Sequence, residues 1–98
     1  MASVRQLKKD IEALTTQVAS YCFEYMEVYR EADREPVVGI LKSAIELRNE
    51  LIARANHPDG KDNPKLVKAH YKAIVNELLA KTDAHFDQIR DLLKQHAE

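Results

Sequence analysis

The chain has 98 residues, with 15 Lys and Arg against 16 Asp and Glu, and its formal net charge is -1. This length excludes a two-domain protein, and the balanced charge supplies no net field that would attract a polyanion such as RNA. Two glycines and three prolines leave the chain few places to turn. Residues 1–98 are therefore predicted to form a single helical-bundle domain.

Apolar residues recur every three or four positions along most of the chain, which is typical of long amphipathic helices. We predict three helices, over about residues 3–33, 36–56 and 64–96. Pro36 and Pro64 each suit a first helical turn, and the short connection before Pro36 forces an antiparallel hairpin. The predicted fold class is all-α, an antiparallel bundle of three long helices, or of four if the last helix breaks near Thr82.

Gly39 lies inside the second predicted helix. A glycine in a helix interior costs about 1 kcal/mol relative to alanine. We expect a close approach between the two helices of the hairpin to explain this residue.

The unequal lengths of the predicted helices favour self-association. At 1.5 Å per residue the first and third would span roughly 45 and 49 Å, and the second only roughly 31 Å. The long helices would project beyond the second and expose apolar stripes that soluble monomers seldom expose. The predicted interface residues are Val4, Leu7 and Ile11 at one end, and Phe86, Ile89, Leu92 and Leu93 at the other. We therefore expect a homodimer or other homo-oligomer acting as a structural or protein-interaction module, with an unidentified protein partner as a further possibility.

An enzymatic alternative rests on the segment Arg90-Asp91-Leu92-Leu93-Lys94-Gln95-His96. This segment resembles the Arg-x4-6-His motif of HEPN ribonucleases, which are small all-helical domains and often dimeric. The resemblance implies a ribonuclease or RNA-binding bundle in which Arg90 binds phosphate and His96 performs acid/base chemistry. Arginine holds a phosphate through two donors, and histidine titrates near neutral pH. The other assignment of the segment is a helix end whose cations complement the macrodipole.

Metal and cofactor chemistry have no clear candidates in this sequence. His70, His85 and His96 each lack a carboxylate or histidine at the spacing that lets one helix hold a metal ion. We assign His70 and His85 to the edge of the core, with ring nitrogens in water. No glycine-rich phosphate loop is present, so we predict no metal, no cofactor and no nucleic-acid partner, and favour a protein that is not an enzyme.

Cys22, Tyr25, Met26 and Tyr29 form an apolar group near the end of the first predicted helix. Such a group fills a core or lines a pocket for a small ligand, and core packing is the preferred interpretation. A catalytic cysteine would need a neighbouring base or cation, and no histidine is close to Cys22 in sequence.

The N-terminal segment is too charged for a signal peptide, because Arg5, Lys8 and Lys9 arrive before any apolar run can form. No stretch approaches the roughly 18 apolar residues of a membrane span. The sequence therefore predicts a cytoplasmic protein that does not cross a membrane.

Overall fold

The computed structural model describes residues 4–58 and 62–96. The helices are α1 (Val4–Val28), α2 (Glu35–Asn56) and α3 (Pro64–Lys94). Each helix contacts the other two, and the described residues contain no strand. The predicted all-α bundle of three helices is confirmed. The four-helix alternative is wrong, because α3 continues through Thr82 without a break.

Helix α1 ends at Val28, about five residues before the predicted end near residue 33. The chain reverses over residues 29–34, where the Asp33 carboxylate accepts a hydrogen bond of 3.0 Å from the Glu35 N–H. The predicted helix bounds leave only two or three residues for this reversal. The reversal takes more residues than this because it also brings the Tyr29 side chain back against the core.

Helix α3 begins where the sequence predicts. The Asn63 side chain accepts hydrogen bonds from the backbone N–H groups of Lys65 at 3.0 Å and Leu66 at 3.4 Å, and Pro64 occupies the first turn. Such a side-chain cap satisfies amides that the helix itself cannot pair. The helix ends at Lys94, two residues before the predicted end, and the predicted start of α1 at residue 3 lies outside the described residues.

The core consists of two apolar clusters placed one after the other along the bundle. The hairpin-end cluster contains Val18, Cys22, Tyr25, Val37, Ile40, Ala44, Ile89 and Leu92. The distal cluster contains Leu7, Ile11, Leu47, Leu51, Ala55, Ile74 and Leu78. The late residues of α1 meet the late residues of α3, and the early residues of α1 meet the early residues of α3. Helices α1 and α3 therefore run parallel, with α2 antiparallel to both.

A polar layer of Thr15, Thr82 and His85 separates the two clusters, and none of these residues is more than 7% exposed. The Thr15 hydroxyl donates to the carbonyl of Ile11 at 2.8 Å, and the Thr82 hydroxyl donates to that of Leu78 at 2.7 Å. Both hydroxyls are thus satisfied within their own helices. The Nδ1 atom of His85 is buried and has no partner among the described residues. The expectation that both ring nitrogens of His85 lie in water is wrong.

Gly39 lies on an exposed part of α2, and a Cβ added there would meet no atom within 4 Å. The expected close approach between helices at this position is wrong. The glycine therefore lowers helix stability without a packing gain in the single chain.

Replacing Gly39 with alanine is expected to raise the free energy of unfolding by about 1 kcal/mol, since the site has room and the backbone is helical. Urea denaturation followed by circular dichroism measures the change. The matched control is Ala53→Gly, an exposed position of the same helix, which should lose a similar amount. A loss of stability in Gly39→Ala would contradict the open site.

The buried His85 makes stability depend on pH. Burial, with a smaller contribution from the charge of Lys81, lowers the pKa of His85 below 6.5. The unfolded chain therefore binds a proton more readily than the folded chain. The free energy of unfolding should be highest above pH 6.5 and should fall as the pH drops below it.

His85→Leu is expected to flatten this fall and to raise stability near neutral pH by about 1 kcal/mol, because an apolar side chain leaves no unpaired nitrogen in the core. Urea denaturation at pH 7.5 and pH 5.5 measures both effects. The exposed His57 supplies the control variant, His57→Gln. An equally steep loss of stability in His85→Leu would exclude His85 as its source.

Candidate functional site

The predicted interface residues fall into a buried group and an accessible group. Leu7, Ile11, Ile89 and Leu92 are at most 8% exposed and belong to the two core clusters. The expectation that they project beyond α2 is wrong. Leu7 and Ile11 belong to one cluster with Leu51 and Ala55 near the end of α2. Ile89 and Leu92 belong to the other, with Val37 and Ile40 near its start.

The other three predicted interface residues are accessible to different degrees. Phe86 is half-buried against the hairpin-end cluster. Val4 and Leu93 are exposed, near the opposite ends of the bundle. Leu93 also belongs to a larger set of apolar residues that lies between α1 and α3.

Two rows of apolar side chains lie beside each other between α1 and α3. Within each row the residues are seven positions apart, or about two helical turns, except that the first two on α3 are four apart, so the members of a row share one side of their helix. We define the α1/α3 face as Leu14, Tyr21 and Val28 on α1 with Val75, Leu79, Phe86 and Leu93 on α3. The side chains of Tyr21, Val28, Leu79 and Leu93 are between 42% and 70% exposed. A soluble chain rarely leaves so many apolar groups together in water.

Two adjoining shallow depressions, of about 390 and 420 Å³, form a groove on the part of this face from Gln17 to Val28 and from Phe86 to Leu93. Both are lined by Tyr21, Ile89 and Leu93. Across the floor, the rings of Tyr21 and Phe86 meet edge to face with centroids 5.8 Å apart. The groove is therefore mainly apolar and open along its length.

Charged residues border the groove with opposite signs on its two sides. Glu24 and Glu27 line it from α1, and Arg90 lines it from α3. Arg90 pairs with Asp87 of its own helix at 3.0 Å, and both side chains are more than 60% exposed. An exposed pair of this kind contributes little to stability, so Arg90 remains free to exchange partners.

His96 packs against α1 rather than extending from a frayed helix end. Its Nε2 lies 2.8 Å from the hydroxyl of Tyr25, and its ring stacks on that of Tyr29 with centroids 3.9 Å apart. No contact among the described residues joins Arg90 to His96, since the guanidinium of Arg90 pairs with Asp87. The ribonuclease interpretation of Arg90 and His96 stays a prediction.

The four residues considered for a small-ligand pocket are not brought together around one cavity. Cys22 is fully buried in the hairpin-end cluster, and burial raises the pKa of its thiol, which disfavours the reactive thiolate. Tyr25 and Tyr29 line the groove between α1 and α3. Met26 lines a separate hollow on another side of α1.

The described residues contain no group of three His, Cys, Asp or Glu side chains that could hold a metal ion. His70 instead donates from Nε2 to the backbone carbonyl of Arg54 at 2.7 Å. Glu77 joins Arg54 of α2 to Lys81 of α3, and the hydrogen bonds from these two cations lower its pKa. These contacts hold α2 and α3 together. No helix in the described part of the chain is long and apolar enough to span a membrane.

Comparison of the chain with protein-family models, with curated proteins and with solved structures found no match. No residue role therefore comes from a relative. The α1/α3 face is the feature of this chain that points to a function.

Proposed function

We propose that this protein is a homo-oligomeric interaction module in which two copies join through their α1/α3 faces. The support is an open apolar groove bordered by Gln17 to Val28 of α1 and by Phe86 to Leu93 of α3, together with the apolar rows that continue beyond it to Leu14 and Val75. Association would remove these side chains from water, which is the main driving force of most protein interfaces.

The surface area of the chain carries this proposal. Its accessible surface is 6898 Å², whereas a folded monomer of 11.2 kDa is expected to expose about 5,700 Å². The surplus of about 1,200 Å² arises because the bundle measures 55 × 19 × 18 Å and is far from spherical. A stable interface removes about 600 to 1,000 Å² from each partner. A second copy on the α1/α3 face would therefore bring the exposed surface close to that of an ordinary folded protein.

A second copy suits this face better than an unrelated partner. A two-fold axis places an apolar face against an identical one, so each row of one copy finds apolar side chains on the other. Helices α1 and α3 of both copies would then form a four-helix interface, with the packing found in helical bundles. Of the interface residues predicted from sequence, Phe86 and Leu93 belong to this face, and the buried Ile89 lies at the floor of its groove.

Light scattering on a sizing column tests the proposal directly. The expected mass is about 22 kDa, twice the 11.2 kDa of one chain. A mass of 11.2 kDa at all accessible concentrations would overturn the proposal.

Two substitutions test the location of the interface. Val28→Glu and Leu93→Glu introduce carboxylates at exposed positions of the α1/α3 face, so the single chain should still fold. Each is expected to weaken dimerisation at least about tenfold, because the added charge loses its water without a partner. Dilution series with light scattering measure the dissociation constant, and circular dichroism verifies helix content.

The matched control is Ile45→Glu, since Ile45 is 49% exposed but lies on α2, away from the groove. This variant should dimerise like the wild type. Equal weakening by all three substitutions, or by none, would place the interface elsewhere.

A further inference from the structure

We infer that one end of the bundle binds the surface of an anionic lipid membrane, with the long axis of the bundle standing away from that surface. This end contains the first turns of α1 and α3 and the last turns of α2, around the distal cluster. We define the basic end as six cationic residues located there: Arg5, Lys8 and Lys9 of α1, and Lys65, Lys68 and Lys72 of α3. The inference does not rest on the proposed dimer, because the groove between α1 and α3 lies in the other half of the bundle.

The parallel course of α1 and α3 brings these two groups of cations to the same end. They are far apart in the sequence, and each alone is an ordinary charged stretch of a helix. Leu7 of α1 and Ile74 of α3 belong to one core cluster, so the early turns of both helices lie side by side. The basic end therefore exists only in the folded chain.

The cations of the basic end are available to a partner. In the described part of the chain none of the six forms an ion pair. We define the distal half of the bundle as residues 4–14, 47–58 and 62–78. Three of the five carboxylates described in this half pair with arginines of α2, and these are Glu12, Glu50 and Glu77. Only Asp10 and Asp62 are left there to offset the six cations, and Asp10 accepts a hydrogen bond from a glutamine one turn earlier.

The other half of the bundle has the opposite balance of charge. Among the remaining described residues, 15–46 and 79–96, nine are Asp or Glu and six are Lys or Arg. An anionic surface therefore attracts one end of the 55 Å bundle and repels the other, although the net charge of the whole chain is only -1. This separation of charge orients the bundle.

The two groups of cations lie on different sides of the bundle, which favours contact through its end. Lys65 and Lys72 continue the seven-residue row of α3 that belongs to the α1/α3 face, so they lie on that side. Arg5 lies seven residues before Glu12, which pairs with an arginine of α2, so Arg5 lies on the side toward α2. A contact along one side would use only one group. A surface across the end reaches both, since all six cations lie within about 12 Å of the helix starts.

Two exposed apolar residues accompany the cations at this end. Leu66 is 53% exposed and follows Lys65, and Val4 is 37% exposed and precedes Arg5. Apolar side chains among basic ones can enter the boundary between lipid headgroups and acyl chains while the cations bind the headgroup phosphates. A lipid surface thus fits both the charge and the apolar residues of the basic end.

A lipid surface also fits this end better than a nucleic acid does. Five of the six cations are lysines, which bind phosphate as point charges without the fixed geometry of arginine. Proteins that bind single-stranded nucleic acids add aromatic rings on which bases stack. The rings of His70 and Tyr71, near the basic end, pack on each other and bond to backbone carbonyls of α2. These rings are therefore already engaged within the bundle.

Co-sedimentation with lipid vesicles tests the inference. The full chain is expected to bind vesicles of phosphatidylcholine with about 30% phosphatidylserine, and to bind pure phosphatidylcholine at least about tenfold more weakly. Raising the salt from about 0.1 to about 0.5 M should weaken binding, because salt screens exposed charges. A wild-type chain that fails to bind the anionic vesicles would overturn the inference.

Two triple variants test the basic end itself. One combines Arg5→Gln, Lys8→Gln and Lys9→Gln, and the other combines Lys65→Gln, Lys68→Gln and Lys72→Gln. Each is expected to weaken vesicle binding at least about tenfold, because every basic residue near an anionic leaflet strengthens binding about fivefold. Circular dichroism verifies that both variants keep their helix content.

The matched control combines Arg34→Gln, Lys42→Gln and Lys94→Gln, which removes three exposed cations from the acidic half and changes the net charge equally. This control should bind within about twofold of the wild type. An equal loss in the control would show that net charge alone matters. A loss in only one of the two triple variants would exclude contact through the end. Either result would overturn the inference.

Tryptophan fluorescence tests whether the apolar residue enters the membrane. The chain contains no tryptophan, so Leu66→Trp supplies a single probe at the exposed Leu66 position. Its emission is expected to shift to shorter wavelength on the anionic vesicles, whereas that of Phe23→Trp, exposed in the acidic half, should not. An unchanged emission of Leu66→Trp would overturn the inference. So would binding of a labelled single-stranded RNA under conditions that leave the vesicles unbound, since it would assign the basic end to nucleic acid.

Discussion

The narrow cross-section of a three-helix bundle determines most of what this chain exposes. The bundle is only 19 × 18 Å across, so a single row of side chains from each helix reaches its axis. On α1 this row consists of Leu7, Ile11, Thr15, Val18, Cys22 and Tyr25. Apolar residues one position to the side of such a row are left partly in water. Because the extra rows of α1 and α3 lie on the same side, they form one open apolar face, whereas Phe23, Ile45 and Leu66 are exposed elsewhere on the bundle.

The three helix pairs differ in the side chains that make contacts between them at the surface. An ion pair from Glu12 to Arg48 crosses between α1 and α2, and one from Arg54 to Glu77 crosses between α2 and α3. Among the described residues no ion pair crosses between α1 and α3, where aromatic rings make the contacts instead. Ion pairs therefore connect α1 with α2 and α2 with α3 at the surface, whereas the contact between α1 and α3 is made by aromatic side chains. This difference distinguishes a potential interface from the solvated sides of the bundle.

The polar layer in the middle of the core changes how stability is distributed. Thr15 and Thr82 bond to carbonyls of their own helices, so their hydroxyls add no link between helices. His85 adds a buried nitrogen without a partner. The apolar contacts that hold the helices together therefore come from the clusters on either side of this layer. The α1/α3 face runs from Leu14 to Val28 on α1 and so passes the polar layer at Thr15. Its burial in a dimer would support the helices where their own core is interrupted.

Helix periodicity was sufficient to predict the three-helix bundle. Spacing by three and four residues identifies which residues share a side of a helix, and Pro36 and Pro64 mark where two helices begin. The same rules placed the end of α1 too late. The helix ends at Val28 because Tyr29, the next residue, packs against the core in the folded chain.

The predicted interface failed in part for a related reason. Residue spacing does not determine how far each helix rotates toward its neighbours, and this rotation buries Ile11 while exposing Val28. The seven-residue repeats from Leu14 to Val28 and from Leu79 to Leu93 are visible in the sequence. Only the relative placement of α1 and α3 turns these two repeats into one surface.

The net charge of -1 also affects how readily two copies of the chain approach each other. In the sequence it argues against attraction to a polyanion, and in a pair of identical chains it also means that little repulsion opposes contact. The charged residues that line the groove are Glu24 and Glu27 on α1 and Arg90 on α3, and Arg90 is paired with Asp87 of its own helix. Apolar burial supplies the affinity of an interface, whereas the pattern of charge selects its geometry. A nearly neutral chain with an open apolar groove can thus associate with itself at little electrostatic cost.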